Sequence, residues 1–309
     1  MPTINLNIEE SFYEKEIRVG YAISSEMKRV WAVELDLLNA FSKVCEKCQL
    51  KWFVHAGTML GAIRHQGFIP WDDDIDVVMP RSDYEKLCKL GPQEFCHPYF
   101  FQTEETDKML ARNFARLRNS NTTAIQEWEK EFHYPYNQGI FIDIFPLDNI
   151  PDAESERKDY FAQLTILNDK AWQWRNMVLL YRPKKDKGWI KRNNYFVKHL
   201  WYKYLSTKKG DYRYYLAEHH SLVTKYDDLD TEYVGESIVA PLGRWVWKKE
   251  WVEKVEYVPF EMLKVPVPVG YEECLSSGFG DNWRIPRKTP NLHGPVLFDV
   301  DKPYTEYLK

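Results

Sequence analysis

The sequence predicts an α+β fold, with a mixed sheet as its core, an N-terminal helix before the sheet and a helical insertion within it. An amphipathic stripe runs from about Ser24 to Leu50, short apolar runs bounded by turn residues follow, and the pattern is helical from Pro151 to about Tyr226. Short strands interspersed with helices are typical of an α+β domain. The chain of 309 residues is long enough to bury a full hydrophobic core without disulfide or metal support.

The N-terminal helix is predicted from apolar residues that recur every three to four positions. A short strand follows at Trp52 to Val54. Gly57 and Thr58 end this strand and precede a helical stretch from Met59 to Arg64, which Gly67 closes. We therefore expect a strand, a tight turn and a short helix directly after the first helix.

An acidic segment from Trp71 to Asp76 leads into a second predicted strand, which ends at Pro80. Ser82 and the glutamate three residues later have the spacing of a helix capping box. A helix is therefore expected from about Asp83 to Leu90, and Gly91-Pro92 should end it.

The segment Gly139–Pro146 predicts a third strand that is apolar on both faces apart from one carboxylate, which places it in the middle of the sheet. The helical insertion has breaks near Pro183–Gly188 and at Gly210-Asp211, and strands at about Trp251–Val258 and Leu263–Val267 follow it, with a short helix after them. We expect four parts: an N-terminal helical segment (1–50), a core (51–150), the helical insertion (151–226) and a C-terminal part that completes the core (227–309).

The composition excludes several classes of protein. A net charge of −4 and a pI near 6.1 provide no overall positive field for sequence-independent binding of nucleic acid. A mean hydropathy of −0.55 and the lack of an apolar run of about 18 residues argue against a membrane span. Five scattered cysteines fit a reducing compartment, and the acidic N-terminus lacks the pattern of a signal peptide, so we expect a cytoplasmic protein.

Paired carboxylates in the second strand are the main chemical signal. Residues two apart project from the same face of a strand, so we expect Asp74 and Asp76 to point together, with Asp72 in the same register and Asp73 on the opposite face. Like charges held side by side raise each other's pKa, and a divalent cation that prefers oxygen ligands relieves the repulsion. The pattern predicts a Mg²⁺ or Mn²⁺ site; the alternative is an acidic turn whose charges are solvated.

Asp143 is a third candidate carboxylate. It lies between Phe141 and Phe145 on one face of the third strand, where an unpaired charge is costly to bury. A metal ion shared with Asp74 and Asp76 would neutralise it, whereas a buried hydrogen bond is the structural alternative.

The turn at Gly57 and Thr58 is a candidate phosphate site, because free N–H groups and the dipole at the start of a helix attract an anion. Arg64, one or two turns along this helix, is within reach of the same anion, although an arginine there is also typical of a helix surface. With a carboxylate pair on the next strand, the turn gives the arrangement of a nucleotidyltransferase fold.

Three segments of the chain resemble the LicD family, which groups phosphorylcholine transferases with fukutin-type ribitol-phosphate transferases. His55–Leu87, with the sequence HAGTMLGAIRHQGFIPWDDDIDVVMPRSDYEKL, resembles the family's signature. Gly139–Asp152 (GIFIDIFPLDNIPD) resembles its second block, and Val258–Trp283 (VPFEMLKVPVPVGYEECLSSGFGDNW) resembles its C-terminal block. The resemblance implies a core of the nucleotidyltransferase type.

The resemblance also implies an activity: Mg²⁺-dependent transfer of a phosphoalcohol, phosphocholine above all, from a CDP-activated donor to a hydroxyl of a cell-surface glycan or lipid-linked glycan. Asp143 would join a second metal ion or accept the proton of the acceptor hydroxyl. The candidate site comprises the metal-binding residues Asp72, Asp74, Asp76 and Asp143, the last three of them catalytic, and the substrate-binding residues Gly57, Thr58, Arg64 and His293.

Three alternative functions remain open at the level of sequence. The same fold can move a nucleoside monophosphate from an NTP to a sugar phosphate or small molecule. A metal-dependent glycosyltransferase also uses paired aspartates, but the Gly57-Thr58 turn argues against it. A glycan-binding or scaffolding protein that has kept the fold is the non-enzymatic alternative.

The stretch from Arg175 to Arg213 is basic and aromatic, with 12 Lys or Arg residues against two Asp. Trp with Lys and Arg is typical of helices at an anionic membrane surface. We therefore expect either peripheral contact at the inner face of the membrane or a helix that packs on the core with a solvated, charged face.

Overall fold

The computed structural model of the protein describes residues 4–130, 134–179, 189–237, 244–288 and 294–308. Helices and strands alternate along them, as expected for an α+β protein. The helices are α1 (Ser25–Lys47), α2 (Ala56–His65), α3 (Arg81–Glu94), α4 (Glu154–Trp174), α5 (Trp189–Lys209), α6 (Tyr212–Val223), α7 (Lys249–Val252) and α8 (Tyr271–Phe279).

The strands form one large mixed sheet and three two-stranded sheets. They are β1 (Glu16–Arg18), β2 (Tyr21–Ile23), β3 (Phe53–Val54), β4 (Asp76–Pro80), β5 (Tyr99–Gln102), β6 (Ala115–Asn119), β7 (Thr123–Gln126), β8 (Ile140–Ile150), β9 (Tyr233–Glu236), β10 (Val246–Lys248), β11 (Val255–Phe260), β12 (Leu263–Pro268) and β13 (Val296–Asp299). The large sheet has the order β10-β9-β8-β4-β3, with β6 paired to β8 and β5 to β6. The small sheets are β1–β2, β11–β12 and β7–β13.

Strand β8 is the centre of the large sheet. It runs parallel to β4 and antiparallel to both β6 and β9. β6 pairs with its first half, up to Ile144, and β9 with its second half, from Leu147. Nearly all of its residues are buried, as expected for a strand covered on both faces. The prediction of a central strand here is confirmed, and the strand continues to Ile150.

Helix α1 packs against the sheet and closes the core. The side chain of Ser24 caps it by accepting a hydrogen bond from the backbone N–H of Met27. Its fully buried Trp31 stacks on Phe68, with ring centroids 4.4 Å apart. The predicted N-terminal helix and the α+β fold with a mixed sheet are thereby confirmed.

Two elements around the acidic segment begin at other residues than the sequence pattern predicts. Helix α2 begins at Ala56, so Gly57 and Thr58 lie in its first turn and not in a separate turn before it. Strand β4 begins at Asp76, and the residues from Asp72 onward form a connecting segment. The expected alternation of aspartates along one strand is therefore wrong, because only Asp76 has strand conformation.

Helix α3 and the strand after α7 also differ from the prediction. Helix α3 begins after Pro80, has no side-chain cap and continues through Pro92 to Glu94. Proline keeps φ near the helical value, but it removes one backbone hydrogen bond and crowds the carbonyl four residues earlier, and the helix ends two residues after it. Trp251, expected at the start of a strand, lies in α7, and β11 begins at Val255.

Helices α4, α5 and α6 lie between β8 and β9. The chain leaves the sheet at Ile150 and returns at Tyr233, and these two residues are paired across the strands. The predicted break at Gly210-Asp211 is confirmed, since Asp211 caps α6; the break near Pro183–Gly188 lies outside the described residues. The described residues between 151 and 226 are thus largely helical, while the division of the chain into four parts remains a prediction.

Candidate active site

The acidic segment before β4 brings three carboxylates together. Asp72, Asp73 and Asp74 each place a carboxylate oxygen within 4.8 Å of those of the other two. The expectation that Asp73 faces away is wrong, because these residues precede the strand and do not alternate as strand residues do. The indole N–H of Trp31 donates to the backbone carbonyl of Asp72 at 3.0 Å and holds the segment against α1.

The first turn of α2 supports the aspartates from another side. The hydroxyl of Thr58 accepts a hydrogen bond from the backbone N–H of Asp76 at 2.8 Å. The Oδ2 atom of Asp72 lies so close to Gly57 that a Cβ there would be 2.6 Å from it. A negative charge at the first turn of a helix is favoured by the helix dipole. Gly57 and Thr58 therefore shape the acidic cluster, and their contact with a phosphate remains a prediction.

Asp143 of β8 lies opposite Asp76 of β4 on one side and opposite Arg116 of β6 on the other. Nε and Nη2 of Arg116 donate to its two carboxylate oxygens at 2.5 and 3.1 Å. The guanidinium of Arg116 also covers the ring of Phe141, 3.7 Å from its centroid. The argument that Asp143 needs a metal ion for neutralisation is therefore wrong, since Arg116 supplies the charge. Its position opposite Asp76 is what brings it to the site.

Burial and mutual repulsion raise the pKa of two aspartates. The pKa of Asp76 lies well above its usual range because of burial, followed by the charges of Asp74 and Asp143. The pKa of Asp72 is raised by burial and then by the charges of Asp74 and Asp73. The fully ionised cluster is thus unfavourable unless a positive charge joins it.

Two glutamates that sequence reasoning missed also act on the site. Glu34 of α1 is buried, and burial together with the charges of Asp74 and Asp73 raises its pKa well above the usual range. Glu236 at the end of β9 is also buried, and its charge contributes to the raised pKa of Asp76. A glutamate inside the apolar stripe of α1 was the sequence signal for Glu34; nothing in the sequence alone marks Glu236.

Arg64 and His293 are the two remaining residues for which the sequence predicts substrate binding. Arg64 donates from Nε to Nε2 of His65 at 2.9 Å and from Nη1 to the carbonyl of Trp283 at 2.6 Å. Within the described residues its hydrogen bonds go to no aspartate of the site, so Arg64 ties α2 to the C-terminal part of the chain. His293 lies outside the described residues.

The donor set fits a divalent metal ion. The side chains that cluster here offer only carboxylate oxygens, which Mg²⁺ and Mn²⁺ prefer. Glu34 does not belong to this group of three, but the charges of the aspartates act on it, and its Oε2 is buried without a hydrogen-bond partner within the described residues. The structure thus provides the acidic cluster, and the identity of the metal ion remains a prediction.

Asp76 and Asp143 face each other on two neighbouring parallel strands, and the glycine-threonine start of α2 lies beside them. This is the arrangement that we expect of a nucleotidyltransferase fold. Residues 49–178 match the nucleotidyltransferase domain of the LicD/FKTN/FKRP family. This match covers less than half of the chain and confirms the resemblance of the sequence to the family. The transferase domain that it describes makes the chain an enzyme.

Three relatives show how far the similarity extends. The chain is 28% identical over 260 residues to the lipopolysaccharide cholinephosphotransferase LicD of Haemophilus influenzae, an alignment that covers 82% of this chain and 89% of the relative. An uncharacterised protein of Rickettsia prowazekii is 39% identical over 157 residues, which cover 48% of this chain and 57% of the relative. One of Rickettsia typhi is 24% identical over 166 residues, 48% of either chain.

Helices long and apolar enough to cross a bilayer are not found among the described residues.

Proposed function

We propose that the protein transfers a phosphoalcohol from a CDP-alcohol to a hydroxyl of a cell-surface glycan or lipid-linked glycan, with Mg²⁺ or Mn²⁺ as cofactor. The observation that carries the proposal is the pairing of Asp76 with Asp143 across parallel strands, beside the clustered aspartates of the acidic segment. Similarity over 89% of the length of a lipopolysaccharide cholinephosphotransferase supports phosphocholine as the group transferred.

The clustered side chains divide the work of binding. Asp72, Asp74 and Asp76 would hold the metal ion, and Asp73 is close enough to join them. When bound, the ion supplies positive charge to the phosphates of the donor as CMP departs. Thr58 fixes the backbone of Asp76, so that this carboxylate keeps its place while substrates exchange.

Asp143 is the side chain we assign to the acceptor hydroxyl. Arg116 fixes both of its oxygens, and each oxygen keeps a lone pair that can accept the hydroxyl proton. Phosphoryl transfer needs little covalent help, so positioning of the hydroxyl in line with the departing CMP supplies most of the acceleration.

A cavity of about 290 Å³ lined by aromatic and cationic side chains supports binding of a sugar acceptor. Trp128 and Trp172 line it with ring centroids 6.3 Å apart, and both rings are partly exposed. Arg112 also lines it, and the Phe114 ring lies 5.5 Å from Cζ of Arg112 and 5.7 Å from Cζ of Arg116. The rings of Trp128 and Trp172 can stack on a sugar, whereas the positive charge of Arg112 repels the cationic choline head group.

The decisive experiment is the mass of the product. The purified protein is incubated with CDP-choline, Mg²⁺ and an oligosaccharide acceptor, and the mass of the acceptor is then measured by mass spectrometry. We expect release of CMP, a gain of one phosphocholine and no reaction with EDTA or in Asp76→Asn. Parallel incubations replace CDP-choline by an NTP with a sugar phosphate, or by a sugar nucleotide with the oligosaccharide. A gain of one nucleoside monophosphate from the NTP would establish nucleotidyl transfer instead, and a gain of one hexose from the sugar nucleotide would establish glycosyl transfer. The absence of turnover with every CDP-alcohol would favour the non-enzymatic alternative, a glycan-binding or scaffolding protein.

We also propose cytoplasmic location with peripheral contact at an anionic membrane. Helix α5 exposes Trp201 and Tyr204, at 59% and 55%, among basic residues. Aromatic and cationic side chains on one helix favour the interface of an anionic bilayer. Co-sedimentation with phosphatidylglycerol vesicles, and none with phosphatidylcholine vesicles, is the expected result.

A further inference from the structure

Helix α1 carries two buried carboxylates, two positions apart, that differ in their partners. Oδ1 of Asp36 accepts hydrogen bonds from the backbone N–H groups of Asn5 and Leu6 at 2.9 and 2.7 Å, and Oδ2 accepts one from the hydroxyl of Tyr99 at 2.8 Å. Glu34 is just as buried, at 1% exposure for each residue. Its Oε2 nevertheless has no hydrogen-bond partner in the described part of the chain. The hydrogen bonds of Asp36 thus stabilise the fold, whereas one carboxylate oxygen of Glu34 is buried without a partner among the described residues.

Glu34 lies on the face of α1 that contacts the acidic segment. Trp31, one helical turn earlier, donates to the carbonyl of Asp72 at 3.0 Å. The charges that act most strongly on the Glu34 carboxyl are those of Asp74 and Asp73, with further contributions from Asp72 and Asp76. Its strongest electrostatic neighbours are therefore all aspartates of the site.

A buried carboxylate among four others is strongly unfavourable unless a proton or a cation joins it. A proton would satisfy Glu34 alone, whereas a divalent cation would satisfy Glu34 and the aspartates together. We propose that Glu34 is a ligand of the metal centre, contributed by α1 from outside the aspartate motif. This inference rests on the metal dependence in the proposed function and extends it to a specific residue.

Metal binding, measured without donor or acceptor, tests this role. The full chain is stripped with EDTA and titrated with Mn²⁺, and free Mn²⁺ is followed by electron paramagnetic resonance; melting temperatures are recorded without metal and with Mg²⁺. We expect Glu34→Gln to weaken Mn²⁺ binding at least about tenfold. Its metal-free form should melt above the wild type, because repulsion is relieved, and should gain less from Mg²⁺.

Asp36→Asn is the matched control, from the same helix and with the same burial. It should melt lower without metal because its hydrogen bonds weaken, and it should bind Mn²⁺ like the wild type. Glu34→Asp keeps the charge but shortens its reach, so it should weaken Mn²⁺ binding without raising the metal-free melting temperature.

Unchanged Mn²⁺ binding in both Glu34 variants, or no binding by the wild type, would overturn the assignment. Binding that depends on Glu34 in a protein inactive on every CDP-alcohol would uphold it and refute the proposed function instead.

Discussion

Gly57 shows how one missing side chain can shape an active site. A Cβ at this position would lie 2.6 Å from Oδ2 of Asp72, and that atom is the end of a side chain that can move. We expect Gly57→Ala to displace the Asp72 carboxylate and to lower the rate of CMP release from CDP-choline at least about tenfold. Unfolding in urea should show a stability within about 1 kcal/mol of the wild type.

Gly61, one turn further along α2, is the control. A Cβ there would meet the backbone carbonyl of Gly67, which cannot move without the chain. Gly61→Ala should therefore cost about 1 to 3 kcal/mol of stability, as overpacking does. An active Gly57→Ala enzyme would show that the approach of Asp72 to this glycine has no role in turnover.

Asp73 is expected to matter for turnover because its carboxylate lies with those of Asp72 and Asp74. We expect Asp73→Asn to reduce kcat on CDP-choline as strongly as Asp74→Asn, by about tenfold or more. Asp230→Asn is the control, since Asp230 has a fully exposed side chain on another part of the surface. Wild-type kinetics in Asp73→Asn would restrict the metal site to the other aspartates.

The sequence predicts the aspartates of the candidate site but not the residues that surround them. Asp72 to Asp76 stand in one short segment, so their proximity needs no knowledge of the fold. Arg116 and Glu34 reach them only through the pairing of β6 with β8 and the packing of α1, which link residues far apart in the chain. The prediction that Asp73 faces away is wrong because β4 begins only at Asp76, so the residues before it do not alternate as strand residues do.

Helix α6 buries His219, and this burial makes the stability of the folded protein depend on pH. Burial, followed by the charges of Arg81 and His220, lowers the pKa of His219 to about 3. An unfolded histidine titrates near 6.5. Below that pH the unfolded chain binds a proton that folded His219 does not, so stability is full above about pH 6.5 and is lost as the pH falls.

We expect His219→Leu to lose less stability than the wild type between about pH 7.5 and about pH 5, by about 2 kcal/mol in urea unfolding. His220→Gln should keep the wild-type pH dependence, because that side chain is 55% exposed. Equal losses in the wild type and in His219→Leu would contradict the depressed pKa.

Helix α4 contributes Trp172 to the cavity that we assign to the acceptor. Trp172→Ala should raise the KM for an oligosaccharide acceptor about tenfold, because about 1.4 kcal/mol of stacking on the sugar is lost. The rate at which CDP-choline is hydrolysed by water, without an acceptor, should not change. Trp201→Ala on α5, where the side chain is more exposed, should leave acceptor kinetics unchanged. A wild-type KM in Trp172→Ala would place the acceptor elsewhere.

Among the elements, β3, β4 and β8 were predictable because each is a short apolar run. Strand β6 was not, since Arg116 and Arg118 interrupt its apolar residues. Both arginines are buried by tertiary contacts, Arg116 with Asp143 and Arg118 with the carbonyl of Gly139. Their strand conformation follows from those partners and not from local propensity.

On the scale of the whole molecule, Arg175 joins the helical insertion to the core. It is buried, donates to the backbone carbonyls of Met109 and Leu110, and lies 4.7 Å from the centroid of the Tyr134 ring. Arg175→Met would leave both carbonyls without this partner, at a cost of about 3 kcal/mol. We expect lower stability in urea and faster amide exchange in residues 104–112.

Arg213→Met provides the comparison, because Arg213 is 63% exposed and pairs with Asp211 at the surface. It should leave both stability and exchange near wild-type values. Unaltered exchange in residues 104–112 of Arg175→Met would mean that other contacts hold the insertion in place.

The pairing of Ile150 with Tyr233 makes the helical lobe between them a separable part of the chain. A lobe whose two ends meet at neighbouring residues of a hairpin can be lengthened, shortened or exchanged with little change in the geometry of the sheet. Loop-closure entropy grows only with the logarithm of loop length, so such changes are inexpensive. Such changes would leave the aspartates of the candidate site in place, so protein engineers can graft another lobe at the same junction.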